Sequence, residues 1–217
     1  MHNVPEWKGK RLLDFCVAAL ALLFLAPLFL LISLVIALTM GSPLLFKHQR
    51  PGRNGKLFGL LKFRSMTNLS RGSKINFDED AIRLTRFGKF LRKTSLDELP
   101  SLINVLKGDM SLVGPRPLLV EYLPLYSPFQ ARRHSLRPGL TGLAQIKGRT
   151  SLSWEKRFRY DLWYVDHSSF CVDAKILAGT VAVVIFFKGN SQNLAEAMPP
   201  FSGSPGVIDL DAPDLDY

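Results

Sequence analysis

Cysteine is nearly absent from this chain. Two residues, Cys16 and Cys171, occur in 217, each in or beside an apolar run, and neither has a histidine at metal-ligand spacing. A disulfide framework and a cysteine-rich zinc site are thereby excluded, and a reducing, cytoplasm-facing setting fits best. Histidine is as sparse: His2, His48, His134 and His167 are scattered, and each reads as a surface or interface residue rather than a base. The chain also lacks the G-x-x-x-x-G-K-[ST] phosphate loop, the H-E-x-x-H helix and the G-x-S-x-G elbow. Gly139-Leu140-Thr141-Gly142 is too short for a dinucleotide fingerprint. Those enzyme classes have no support.

Charge is missing from one long stretch. Between Phe15 and Met40 the sequence FCVAALALLFLAPLFLLISLVIALTM contains no Asp, Glu, Lys or Arg, which is long enough to cross the hydrocarbon core of a bilayer as a helix. A cleavable leader would be shorter and would end at a small-residue site, so the segment is read as membrane-embedded. Its flanks oppose simple spanning. Lys8, Lys10 and Arg11 precede it and Lys47, Arg50, Arg53 and Lys56 follow, so a spanning helix would strand one basic cluster outside. Pro27 lies near its centre, where it removes a backbone hydrogen bond and bends a helix. The expectation is therefore a re-entrant hairpin over residues 1–42, broken at Ala26-Pro27, with a kinked spanning helix as the alternative. Arg11 and Asp14, three residues apart, can meet on one helix face, which would ease ionised groups into the boundary.

Acid is scarce relative to base. Lys and Arg number 28 against 18 Asp and Glu, a net charge of +10, and Asp209, Asp211, Asp214 and Asp216 crowd the end of the chain. Such a balance favours anionic partners: nucleic acid, an acidic membrane face or phosphorylated substrates. After Gly41-Ser42-Pro43, short apolar runs separated by Pro-Gly and Asn-Gly predict a small β-hairpin. Residues 67–82 read as a loop. Two helical stripes follow, one through Leu84, Phe87 and Leu91 and one through Leu99, Leu102, Ile103 and Leu106, stopped at Lys107-Gly108. GDMSLVGPRP and RPGLTGLAQIKGR read as turns. WEKRFRYDLWYV is a helix whose aromatics fit either a membrane interface or ordinary core. AKILAGTVAVVIFF, residues 174–187, reads as a buried or interface-lying helix, and the end of the chain as a flexible tail.

Asp97 and Glu98 stand out. Ser95-Leu96-Asp97-Glu98 matches the capping box, in which the Ser and Glu side chains satisfy orphan backbone donors; alternatively Asp97 is itself the N-cap. The same place suits phosphate chemistry. Arg92, Lys93 and Arg116 can bring cations there, and a carboxylate kept ionised by them could serve as nucleophile or magnesium ligand. Adjacent residues point apart on a helix, so different roles are expected for the two.

KFRSM (Lys62–Met66), SLDELPSLINVLKGDMSLVGPRPLLVEYLPLY (Ser95–Tyr126) and RPGLTGLAQIKGR (Arg137–Arg149) resemble the bacterial sugar transferases known as monotopic phosphoglycosyl transferases, over about Lys10 to Lys188. RPLLVEYLPLY looks most like the small members that use a diacetamido sugar such as N,N′-diacetylbacillosamine. The resemblance implies an α-rich α+β fold: a re-entrant membrane hairpin (1–42), a cytoplasmic-face catalytic domain with amphipathic interfacial helices and a short β-hairpin (43–190), and a flexible acidic tail (191–217). It implies transfer of sugar-1-phosphate from a UDP-sugar to undecaprenyl phosphate at the bacterial inner membrane, releasing UMP, with Mg2+ as cofactor. Asp97 would be the nucleophile, forming a covalent phosphosugar intermediate, and Asp97 and Glu98 together would hold the metal. Lys62, Arg64, Arg92 and Arg116 match basic positions expected at the phosphates or nucleotide, and Asp161 would contact the sugar or a residue that does. The family's helix break resembles Ser-Pro, whereas Ala26-Pro27 lacks that hydroxyl. The lipid bilayer is a partner, nucleic acid is not, and family precedent allows a homodimer. A membrane-bound nucleotide-sugar pyrophosphohydrolase and a non-catalytic anionic-lipid or nucleic-acid binding module are the competing readings, separated by acceptor dependence and by magnesium-dependent chemistry.

Overall fold

A computed structural model describes residues 6–67, 83–148, 152–185 and 199–203. The chain enters through Gly9, whose φ of 92° suits glycine, and forms α1 (Lys10–Phe24) and α2 (Ala26–Met40), bent by 62°. Leu25 (φ −88°, ψ 0°) is the break. Pro27 lies in the first turn of α2, where its missing N–H goes unmissed. The bend thus falls one residue before the expected Ala26-Pro27. Leu12, Leu20, Leu23, Phe24, Leu30 and Leu38 are exposed along the pair. No single described helix is long and apolar enough to cross a membrane; the bent pair together is, by length and composition.

Both ends of the pair are tied to the same globular body. Arg11 donates to the carbonyls of Val105 (2.5 Å) and Leu106 (2.6 Å), the amide of Leu112 donates to Asp14 Oδ1 (3.1 Å), and Lys10 Nζ meets Asp173 Oδ2 at 2.5 Å. Arg11 and Asp14 therefore serve different partners and do not pair with each other, because burial at the body offers each a backbone group that needs one. At the far end Ile32 and Ile36 pack with Phe63 and Leu91. Arg64 donates to the carbonyls of Met40 and Pro43. A straight helix of this length would hold its ends about 45 Å apart.

The expected hairpin is present. β1 (Leu45–Pro51) pairs antiparallel with β2 (Leu57–Phe63), with His48 opposite Leu60 and Arg50 opposite Phe58. The turn uses Asn54 and Gly55 at positive φ, 55° and 75°. Alternation places Phe46, His48 and Arg50 on one face with Lys62, Leu60 and Phe58.

Two helices follow, α3 (Arg86–Thr94), capped by Thr85 accepting from Gly88 N at 2.9 Å, and α4 (Ser101–Lys107), ended by Gly108 at φ 88°. Where the sequence suggests only turns, β3 (Ser111–Val113) pairs in parallel with β4 (Gly139–Thr141). Three residues are too few to show a period. Glycine lets the two segments touch: a Cβ on Gly139 would lie 2.1 Å from Gly114 N.

Short helices α5 (Pro128–Ala131) and α6 (Leu143–Lys147) lead to α7 (Trp154–His167) and α8 (Phe170–Ile185). In α7 Phe158 and Tyr164 are fully buried, so core packing accounts for these aromatics. α8 starts at Phe170, ahead of the expected 174. Within the C-terminal stretch, Phe201 is buried beside Tyr122 and Phe158, and Trp154 Nε1 donates to the Pro199 carbonyl at 2.9 Å. Residues 199–203 are therefore packed rather than free. The rest of 191–217, and 68–82 of the loop, lie outside the described residues.

Candidate active site

The turn between α3 and α4 decides where the two carboxylates point. Ser95 ends α3 in the left-handed region (φ 58°, ψ 15°), which for a non-glycine residue costs about 1–2 kcal/mol. A 3-10 turn, Leu96–Glu98, follows, and α4 begins only at Ser101. Ser95 makes no side-chain cap bond, so the expected capping box does not form, and Asp97 is not an N-cap. The physical reason lies in Glu98: its side chain is drawn to stronger donors. Lys62 Nζ donates to Glu98 Oε1 at 2.7 Å, and Arg116 donates through Nη2 to Oε1 (2.5 Å) and through Nη1 to Oε2 (3.3 Å).

Arg116 is held from behind. The turn that carries it follows β3, and Arg133 Nη2 donates to the Arg116 carbonyl at 2.7 Å. Arg133 in turn pairs with Asp161 Oδ2 through Nη2 (2.6 Å) and Nε (3.1 Å), both side chains being almost fully buried. Asp161 thus acts on the site through Arg133 and does not present itself to a sugar. Arg92 Nε donates to Ser65 Oγ at 2.9 Å and its charge reaches Asp97. Arg64 is not at the site: it points to the carbonyls at the end of α2, where its fork satisfies groups that a helix terminus leaves unpaired.

Asp97 is 8 % exposed and makes no ion pair or side-chain hydrogen bond among the described residues. Burial, and then the negative charge of Glu98, push its pKa up to about 6, against the opposing pull of Lys62, Arg116 and Arg92. The surroundings thus weaken the ionisation that the sequence suggests without abolishing it: at about 6 the carboxyl is still mostly ionised at pH 7. Burial alone would raise Glu98 as well, but Arg116 and Lys62 overcome it and hold that carboxyl well below the usual range. One carboxylate is fixed in its charge and the other is poised.

Among the described residues no three His, Cys, Asp or Glu side chains converge as a metal cage. Glu98, expected as a joint ligand, is engaged on both oxygens. The residues fit a magnesium ion held through one carboxylate, Asp97, with water and substrate phosphate completing its shell.

A cavity of about 110 Å³ opens beside Glu98, lined by Arg50, Lys62, Arg116, Leu60 and Met110 among others. Asp97 is not part of its wall. Sequence reasoning passed over Arg50 and Arg133 as site residues and left His48 at the surface. Strand alternation from Lys62 across to β1 is the signal that finds Arg50 and His48; Arg133, in a 3-10 turn with no period, offers none.

The sequence model of the bacterial sugar transferase family matches residues 5–187. A sugar transferase, EpsL, of Bacillus subtilis (strain 168) is 52 % identical over 198 residues, covering 91 % of this chain and 98 % of the relative. The UDP-glucose:undecaprenyl-phosphate glucose-1-phosphate transferase of Klebsiella pneumoniae is 43 % identical over 189 residues, covering 83 % of this chain and 40 % of that longer protein. The exopolysaccharide production protein ExoY of Rhizobium meliloti (strain 1021) is 39 % identical over 198 residues, covering 84 % and 88 %.

Proposed function

This chain belongs to the bacterial sugar transferase family, and from that membership we propose that it transfers sugar-1-phosphate from a UDP-sugar to undecaprenyl phosphate, releasing UMP. The observation that carries the chemistry is the division of labour in the dyad: Glu98 is clamped by Lys62 and Arg116 while Asp97 beside it has no ion-pair or side-chain hydrogen-bond partner among the described residues. An unpartnered, desolvated carboxylate is a better nucleophile than one locked in an ion pair.

In the proposed first step an Asp97 carboxylate oxygen attacks the sugar-proximal phosphorus. The bond from that phosphorus to the bridging oxygen breaks, and its electron pair stays on the oxygen that leaves with UMP. In the second step a phosphate oxygen of undecaprenyl phosphate attacks the same phosphorus and the Asp97 oxygen departs, restoring the carboxylate. Each step breaks one bond and forms one, and the donor and the acceptor use the site in turn, so the kinetics are ping-pong. Lys62 and Arg116, oriented by Glu98, bind the donor phosphates and stabilise charge developing on their oxygens. Arg133 and Asp161 keep Arg116 in place, and Arg92 adds positive charge on the Asp97 side. Magnesium, bound with Asp97 and the donor phosphates, would supply further charge neutralisation.

The membrane geometry supports the same reading. Both ends of the bent pair fasten to one body, consistent with a re-entrant hairpin that keeps residues 1–11 and 43–217 together on the cytoplasmic face and holds the site near the lipid phosphate. For the sugar, the likeness of Arg116–Tyr126 to members using diacetamido sugars favours an N-acetylated donor, while the Klebsiella relative is named for glucose.

The test is UMP release by the full chain in nanodiscs with magnesium and a panel of UDP-sugars, with and without undecaprenyl phosphate. Acceptor-dependent release on one donor is expected. Release indifferent to the acceptor would replace the transferase with a pyrophosphohydrolase, and release by Asp97→Asn would remove Asp97 as nucleophile.

A further inference from the structure

The mechanism above leaves one inward cation idle. Arg50 lines the cavity together with Lys62, Glu98 and Arg116, yet it shares no carboxylate. Lys62 and Arg116 divide Glu98 between them and Arg133 has Asp161. The one side-chain hydrogen bond Arg50 makes among the described residues runs from Nη2 to His48 Nδ1 at 3.2 Å, and its Nε is buried without a partner.

A surface arginine with no acid to hold it would turn its guanidinium to water. Here strand geometry prevents that: Arg50 and His48 lie two residues apart on β1, on the face shared with Leu60 and Lys62 of β2. His48 accepts the bond and so acts as the neutral ring; burial and the Arg50 charge both lower its pKa. Three cations, Arg50, Lys62 and Arg116, therefore surround the ionised Glu98, and the other acid whose charge reaches Arg50 is the exposed Glu121. A cavity wall with more cations than acids favours an anion, and a guanidinium with free donors is suited to phosphate.

The location narrows which phosphate. Asp97 lies outside the cavity wall, with Glu98 and its two cations next to it. A donor whose sugar-proximal phosphorus faces Asp97 extends its nucleotide side past Lys62 and Arg116 toward Arg50.

We infer that Arg50, oriented by His48, binds the phosphate that departs with the nucleotide, making the cavity between the β-hairpin and the Pro-Arg-Pro turn the nucleotide-side subsite. This rests on the donor reading proposed above. When the bond to the bridging oxygen breaks, the electron pair adds negative charge to the departing phosphate, so a guanidinium there stabilises the transition state more than the bound donor. His48 is the positioning residue.

The experiment is calorimetric titration of UMP into the full chain in nanodiscs, alongside steady-state kinetics for donor and acceptor. Arg50→Gln is expected to weaken UMP about ten- to hundredfold, the loss typical of a charged hydrogen-bonded contact, and to lower kcat/KM for the donor while leaving kcat/KM for undecaprenyl phosphate within about twofold. Arg50→Lys, which keeps the charge and the stem, recovers part of the affinity. His48→Phe, which keeps the bulk of the ring, gives a smaller loss in UMP affinity and none in acceptor kcat/KM. Unchanged UMP affinity in a folded Arg50→Gln protein overturns the assignment. A lowered acceptor kcat/KM with UMP binding intact gives Arg50 to the lipid phosphate instead. Wild-type protein that binds no UMP overturns both this assignment and the donor reading beneath it.

Discussion

Arg116 grips Glu98 by both carboxylate oxygens, Nη2 to Oε1 at 2.5 Å and Nη1 to Oε2 at 3.3 Å. Lys62 closes on the same Oε1. Two neighbouring carboxyls, identical in chemistry, are driven apart by this arrangement: Glu98 is fixed as an anion, and its charge, with burial, lifts Asp97. Such a splitting of paired acids assigns their roles. Glu98 aims the cations, and Asp97 reacts.

The first consequence is a pH limb. Asp97 must be ionised to attack and its pKa is about 6, so donor kcat/KM should rise with pH through about 6 and level off above it. Glu98→Gln removes the neighbouring charge and releases Lys62 and Arg116 toward Asp97, which shifts the limb to lower pH. The plateau rate should fall about 100-fold, as expected when oriented electrostatic groups are lost. A pH profile of UMP release on both proteins measures both effects; an unmoved limb would mean that Glu98 does not set the ionisation of Asp97.

A second consequence concerns stability. Asp97 rises from 3.8 to about 6 on folding, so the folded state is penalised for its ionised form. Below pH 3.8 the group is protonated in both states and no penalty exists. The penalty grows between the two values and is complete above about 6, at no more than about 3 kcal/mol. Asp97→Asn should therefore be inactive yet more stable at pH 8, with the gain vanishing near pH 4. Denaturant or thermal unfolding at the two pH values checks it.

How much of this was legible beforehand varies with the kind of signal. The apolar run, the hairpin and the helices α3, α4 and α7 carry period, turn residues or stop signals, and their outlines follow from them. The parallel pair of β3 and β4 does not, because three-residue strands joined across Gly114 and Gly139 are specified by close backbone approach and not by pattern. Lys62, Arg92, Asp97, Glu98 and Arg116, each singled out in the sequence, lie close together. The capping box at Ser95 was misleading: local pairing of Ser95 with Glu98 competes with two cations that are distant in sequence, and the long-range partners win. Arg64, two residues on from Lys62 in the same KFRSM run, would share its face by alternation, but it lies just past the end of β2 and there turns to the carbonyls of Met40 and Pro43.

A third prediction tests the anchor of the hairpin. Lys10 and Asp173 are both buried and paired at 2.5 Å, and Asp173 also accepts from Tyr164 (2.6 Å) and Trp7 (3.0 Å). Lys10→Met leaves a buried carboxylate without its countercharge, which should cost about 3–5 kcal/mol. Lys10→Met with Asp173→Asn should recover much of that loss, since no uncompensated charge remains. Unfolding of the single and double variants in detergent gives the coupling; additive losses would mean the pair is not coupled.

The fourth prediction concerns the fold of the hairpin in the bilayer. Lys8 precedes α1 and Lys56 lies in the hairpin turn, and both are exposed. A spanning helix would put them on opposite sides of the membrane, with one basic cluster on the outer face against the usual charge rule. The re-entrant reading proposed above, favoured by the 62° bend and the attachment of both helix ends to one body, puts them on the same side. Cys16 and Cys171 are exposed thiols and are first replaced by serine. Lys8→Cys and Lys56→Cys are then introduced singly and challenged with a membrane-impermeant maleimide on intact spheroplasts and on inverted vesicles. Labelling of both only in inverted vesicles is expected. Labelling of Lys8→Cys from outside, with Lys56→Cys reacting only from inside, would convert the bent pair into a spanning segment. It would also require the contacts of Arg11 with Val105 and Leu106 to be broken in the membrane, because α4 stays with the hairpin through Asn104, whose side chain holds Leu61 N and Gly59 O.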